Sequence, residues 1–210
     1  MRKETKFLSL AVFSLIIFIV ILLQVVNNGP MVNFDRLVNM SLIPVHGFVW
    51  KISLLIHYTF GTLGFGLILF ILFCLFLFKK KHSHSLFVIG SLILTIGLTY
   101  LAKMEVGRIR PTNFLETDFS FPSGHAIYSF MIVALLFYLF AYNLKNVYLK
   151  RLWASAGVLV ILMVAFSRLY LQVHWFSDIL GSWALGLMIF GIMAYLHEKF
   201  KFLDKKHIAF

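Results

Sequence analysis

Six apolar runs constrain this chain more than any other feature of it. They cover roughly 7–26, 57–78, 86–102, 124–142, 152–171 and 176–196. A stretch of about 20 apolar residues is long enough to cross a bilayer as a helix. Only helices and closed barrels satisfy their own backbone hydrogen bonds there. Hydrophobic residues make up 61% of the 210 and charged ones only 13%, which does not suit a soluble domain. The pattern predicts an all-α polytopic membrane protein, six transmembrane helices in one bundle, with a single domain over 1–210. The first run follows the basic "MRKETK", as in a signal peptide. It is longer than an h-region and no A-x-A site follows, so we expect it to stay as an anchor. Cys74 is the single cysteine and builds no disulfide framework.

The formal charge of +11 is topological in its distribution. Arg2, Lys3, Lys6, Lys79, Lys80, Lys81, Lys145, Lys150, Arg151, Lys199, Lys201, Lys205 and Lys206 fall on one side of the predicted spans. Arg36, Lys51, Lys103, Arg108, Arg110 and Arg168 fall on the other. The positive-inside rule then puts both termini in the cytoplasm, with segments 27–56, 103–123 and 172–175 outside a cell membrane. This distribution argues against nucleic acid as a partner. Segment 27–56 has apolar residues at helical spacing broken at Pro44. It reads as short interfacial helices with Trp50 as an anchor.

Three polar clusters share the outer side. "KMEVGRIRP", 103–111, carries Lys103 and Arg110, which would share a face if helical; Pro111 disfavours helix at Arg110. "FPSGHA", 121–126, opens the fourth span. Ser123 is a candidate N-cap, Gly124 admits close approach to the backbone, and free N–H groups at a helix start attract an anion. His125 is placed to give that anion a proton. "SRLYLQVHWFSD", 167–178, carries Ser167 and Arg168, then His174 and Asp178 four residues apart. On a helix Asp178 would accept the Nδ1–H of His174 and leave Nε2 free as a nucleophile. Ionisable residues inside a membrane segment point to function. Three cations beside a helix start fit a multiply charged oxyanion, most simply phosphate. They would repel a divalent ion held by His125, His174 and Asp178, so no metal and no other cofactor is expected.

Lys103-x6-Arg110-Pro111, then Pro122-Ser123-Gly124-His125, then Ser167-Arg168-x5-His174-x3-Asp178 resembles the three-part signature of the type 2 phosphatidic acid phosphatases (PAP2). The resemblance spans 86–196. It implies that His174 attacks phosphorus, that Asp178 orients it and that His125 protonates the leaving oxygen. It assigns the phosphate oxygens to Lys103, Arg110, Ser123, Gly124 and Arg168. Size and topology are similar to those of bacterial lipid phosphatases acting on phosphatidylglycerophosphate, phosphatidic acid or undecaprenyl diphosphate. The implied partners are a lipid phosphate substrate and membrane lipids. A lipid phosphotransferase and a non-catalytic phospholipid-binding or transport protein are the alternatives. The intact His174–Asp178 pair speaks against the latter, and six spans speak against the soluble vanadate-binding relatives. Glu105, Glu116 and Asp118 read as solvated loop charges. His46, His57, His82, His84, His197 and His207 match no motif and read as loop or interfacial residues.

Overall fold

The computed structural model describes residues 3–112 and 114–201. Arg2, Asn113, Lys205, Lys206 and His207 lie outside them. The chain order is α1 (Lys3–Val26), α2 (Pro30–Ser41), α3 (Phe48–Thr59), α4 (Thr62–Phe78), α5 (His82–Val106), α6 (Gly124–Leu136, continuing as a π turn over Phe137–Ala141), α7 (Val147–Tyr170) and α8 (Phe176–Phe200). The described residues contain helices and no strand. Five helices are long and apolar enough to cross a membrane, and the bent pair α3–α4 brings the total to six.

The second span differs from its expected 57–78. The apolar run is interrupted at Phe60–Gly61, and α4 turns 51° away from α3. The remaining expected segments are each contained in a helix or end within a turn of one. The interfacial helices appear on either side of Pro44, as α2 and α3.

α8 is the hub, packing on α1, α2, α5 and α6. Its approach to α1 needs a missing side chain: a Cβ at Gly191 would lie 2.8 Å from the Phe7 carbonyl and 2.9 Å from Ala11 Cβ. Small residues serve this way where helices associate in lipid. Phe65, Leu69 and Phe76 of α4, Phe87 of α5, Ile127, Met131 and Leu135 of α6, and Leu185 and Ile189 of α8 form the main apolar core. α1 and α7 present exposed Ile, Leu and Val to the outside of the bundle, as lipid-facing helices do.

Short loops at one end of the bundle are tied together by polar contacts. Gln172 donates to the Asn39 and Leu42 carbonyls at the end of α2. Thr112 donates to the Gln172 carbonyl at 2.8 Å, and Trp175 Nε1 to the Ile109 carbonyl at 2.9 Å. Tyr170 accepts from the Val45 N–H at 3.0 Å. The three polar clusters of the sequence meet at this end.

Candidate active site

Each cluster is delivered by a helix end. Gly107, in the left-handed region at φ 59°, terminates α5, a conformation that suits glycine. Arg110 is therefore in the following loop and shares no helix face with Lys103. The two cations converge by another route. Lys103 Nζ donates to Asp118 Oδ2 at 2.7 Å and to the Phe119 carbonyl. Arg110 Nε donates to the Asp118 carbonyl at 2.8 Å, and Nη1 to the Val173 carbonyl at 2.8 Å. Ser123 caps α6 as expected, its Oγ accepting from the Ala126 N–H. Its carbonyl accepts from Ser182 at 3.0 Å, so this residue fixes the helix start against α8. Gly124 lines the adjoining cavity.

His174 also sits outside a helix. α8 begins at Phe176 with Trp175 as N-cap. The expected pairing with Asp178 is still present, because the carboxylate folds back over the cap. Asp178 Oδ2 accepts from the Trp175 N–H at 2.9 Å and lies 3.4 Å from His174 Nδ1. Arg110 Nη1 lies 2.9 Å from His174 Nε2. A guanidinium only donates, so Nε2 is the accepting nitrogen and the proton belongs on Nδ1, facing Asp178. The nitrogen that a nucleophile requires is thus the one turned to the cations.

The site centres on a residue that was read as a solvated loop charge. Glu116 is 15% exposed, and its carboxylate contacts Arg168 and lies 2.5 Å from Arg110 Nη2. It is 3.4 Å from His125 Nδ1, 3.4 Å from His57 Nδ1 and 3.5 Å from His174 Nε2. Burial alone would raise its pKa. The cationic groups around it, Arg168 among them, outweigh that and hold the carboxyl far below its usual range. Asp118 is depressed as well: partial burial opposes ionisation, but Lys103 and Arg110 prevail. Glu116 therefore corrects the sequence reading, whereas Asp118 is an exposed loop charge as read, now paired with Lys103 and Arg110. Nothing in the local sequence distinguished them, because apart from Arg110 the groups around them come from α3, α5, α6, α7 and the segment before α8.

His57 is the second residue missed. It is not a solvent-facing interfacial side chain. Arg168 Nη1 lies 2.9 Å from its Nδ1, and its ring stacks on His125 at 4.8 Å between centroids. Its carbonyl accepts from His125 Nε2 at 2.9 Å, which turns His125 Nδ1 toward Glu116. His197 also departs from its reading, being buried with Nδ1 3.0 Å from the Tyr138 hydroxyl.

His57, Glu116 and His125 bring their donor atoms within 4.8 Å of one another. The set does not fit a divalent ion. Arg168 hydrogen-bonds both His57 and Glu116, so a metal would share the space with a buried guanidinium. An anion suits the same place. Beside it opens a cavity of about 500 Å³, lined on one side by Lys103, His125 and Gly124 and on the other by Tyr58, Leu63 and Tyr100. The last three are largely exposed on the outside of the bundle.

The chain matches the PAP2 superfamily over residues 84–202. It belongs to that superfamily. Phosphatidylglycerophosphatase B of Bacillus subtilis is 34% identical over 115 residues, covering 52% of this chain and 56% of that protein. The undecaprenyl-diphosphatase of Sulfolobus acidocaldarius is 31% identical over 124 residues, covering 55% and 56%. The matched part thus spans about half the length of these curated relatives. The crystal structure of a transmembrane PAP2-type phosphatidylglycerolphosphate phosphatase from Bacillus subtilis superposes with a TM-score of 0.79 at 21% identity, covering 91% of this chain and 97% of that one. That likeness establishes the fold.

Proposed function

We propose that this PAP2 protein is an integral membrane phosphatase hydrolysing lipid phosphate or diphosphate esters through a phosphohistidine intermediate. One observation carries the reading. A buried carboxylate, Glu116, is gripped by Arg110 and Arg168 and flanked by His125 and His174. Its oxygens stand where phosphate oxygens would bind. Arg168 Nε, buried without a hydrogen-bond partner among the described residues, leaves a donor for a ligand with more oxygens than a carboxylate. The printed names of the relatives, phosphatidylglycerophosphatase B and undecaprenyl-diphosphatase, support the same substrate class.

The chemistry follows from the tautomers. With Glu116 displaced, His174 Nε2 attacks phosphorus and the P–N bond forms as the P–O bond to the lipid breaks. Asp178, behind Nδ1, offsets the charge that the ring acquires. His125 enters the step doubly protonated, its Nε2–H held on the His57 carbonyl, and gives its Nδ1 proton to the departing lipid oxygen. The same nitrogen then takes a proton from water, whose oxygen displaces His174 and releases phosphate. Arg110, Arg168, Lys103 and the Gly124 amide stabilise charge on the equatorial oxygens. The cavity toward Tyr58, Leu63 and Tyr100 lets a lipid enter sideways with its chains still in the bilayer. The positive-inside distribution supports this end lying outside the cell, with both termini in the cytoplasm. Phosphate release by the purified protein tests the reading against phosphatidic acid, phosphatidylglycerophosphate, and isoprenyl mono- and diphosphates. Release from at least one, without a second lipid as acceptor, separates hydrolysis from phosphotransfer. No release from any rejects it.

A further inference from the structure

Arg108 lies in the spacer between Lys103 and Arg110, and Asp35 lies on α2. Arg108 falls inside the first cluster but is not one of the positions its Lys103-x6-Arg110-Pro111 pattern fixes, and Asp35 lies outside all three clusters. Asp178 Oδ2 is committed to the Trp175 N–H and to His174, while Oδ1 accepts from Arg108 Nη1 at 2.6 Å. Arg108 Nη1 also donates to Ser177 Oγ at 2.7 Å, and Nη2 donates to Asp35 Oδ2 at 2.6 Å. Asp35 in turn accepts from the Ser177 N–H at 2.8 Å and from Ser177 Oγ at 2.6 Å. Both carboxylate side chains are fully shielded, and Arg108 is 12% exposed. Its guanidinium also lies over the Trp175 ring, at 5.4 Å from the centroid.

We infer that Arg108 and Asp35 are positioning residues that hold Asp178, and through it the nucleophile His174, in working geometry. The inference rests on the phosphatase reading above. Two properties follow from the contacts. First, with Oδ1 pinned, the carboxylate cannot rotate, so Oδ2 stays on Nδ1 and Nε2 stays aimed at the anion. Second, Arg108 paired with Asp178 alone would be neutral. Asp35 restores one net negative charge to the cluster, and that charge faces the imidazole as it becomes cationic on attack. A helix at the membrane interface thereby becomes part of the catalytic scaffold.

The test uses the full chain in lipid-containing micelles, with kcat and KM measured separately. Arg108 does not touch the anion site, so Arg108→Gln should lower kcat about 100-fold while KM moves less than about threefold. Asp35→Asn should lower kcat about tenfold, and Arg108→Lys should recover part of the loss. In an Asp178→Asn background, Arg108→Gln should cost less than about threefold further, because its route of action is gone. The same double-mutant cycle is read by thermal unfolding, where the Tm losses of Arg108→Gln and Asp178→Asn should be less than additive. A raised KM with unchanged kcat, or an undiminished loss in the Asp178→Asn background, overturns the inference. A wild-type protein without turnover sinks the phosphatase reading instead. Additive Tm losses then sink the positioning role independently. Should Arg108→Gln not fold, Asp35→Asn combined with Asp178→Asn decides by the same two cycles.

Discussion

Replacing Glu116 gives the most direct view of the anion site, since in this structure the carboxylate competes with any phosphate for the same groups. Charge-assisted hydrogen bonds contribute about 1.5–3 kcal/mol each. Glu116 makes such contacts with both Arg110 and Arg168. Ordering the 107–123 loop offsets part of this, since each fixed residue costs roughly 1–2 kcal/mol. A net preference of about 2 kcal/mol for the self-occupied state weakens apparent ligand affinity about 30-fold. Glu116→Ala should regain most of that factor. Glu116→Gln, which keeps an acceptor but no charge, should regain about tenfold. The assay is inhibition by orthovanadate, a phosphate-shaped oxyanion, during hydrolysis of a lipid phosphate. Both variants should lower the inhibition constant and KM together. The depressed pKa of Glu116 sets the pH behaviour. Its stabilising pairing is fully present above the ordinary carboxylate pKa and is lost only as pH falls through the much lower folded value. The advantage of Glu116→Gln should therefore be flat from about pH 5 to 8. Weaker vanadate inhibition in Glu116→Gln would show that the carboxylate assists binding, and the competition argument would fail.

Other perturbations separate the remaining roles. His174→Ala should abolish turnover and the acid-labile, base-stable phosphoenzyme seen by rapid quench; a phosphoenzyme that persists moves the nucleophile elsewhere. Asp178→Asn should reduce the rate by several orders of magnitude while lipid binding survives. His125→Ala should slow lipid phosphates far more than an activated aryl phosphate, whose leaving group needs no proton; equal slowing removes it as the acid. A cysteine at the exposed Thr117 should react with an impermeant thiol reagent in intact cells, and labelling only after lysis reverses the orientation. EDTA should leave activity nearly unchanged, whereas loss restored by one divalent ion would revive a His57–Glu116–His125 metal site.

The spans were legible because lipid imposes one requirement everywhere along them, and a local run of side chains reveals whether it is met. The His174–Asp178 pair and the Ser123 cap were legible for a similar reason: each acts within a turn or two of where its motif lies. Reading His174 as helical missed its position before the N-cap, yet the pairing held, because a capping carboxylate at 178 reaches back as far as a helical one. Glu116, His57, Arg108 and Asp35 were not legible. Glu116 looks like an ordinary loop acid until Arg110 and Arg168, on separate elements, close around it. His57 stands 68 residues from the histidine it supports, and Asp35 is 73 residues from Arg108. Charge counting grouped Arg108 with Lys103 and Arg110 but could not show that two buried carboxylates share it.

The break between α3 and α4 leaves a debt in hydrogen bonding. In a continuous helix the His57 carbonyl would accept from the amide four residues on, that of Gly61. A span interrupted near lipid must find another donor for such a group. The donor here is His125 Nε2 at 2.9 Å. One contact thus quenches the exposed backbone of a kinked span and selects which imidazole nitrogen is left for chemistry. On the proposed mechanism, straightening the kink and misdirecting the acid would be the same event. Any change that lets the helix run on through Gly61, whether a substitution or a thicker bilayer pulling the two segments into line, takes the carbonyl back from the histidine.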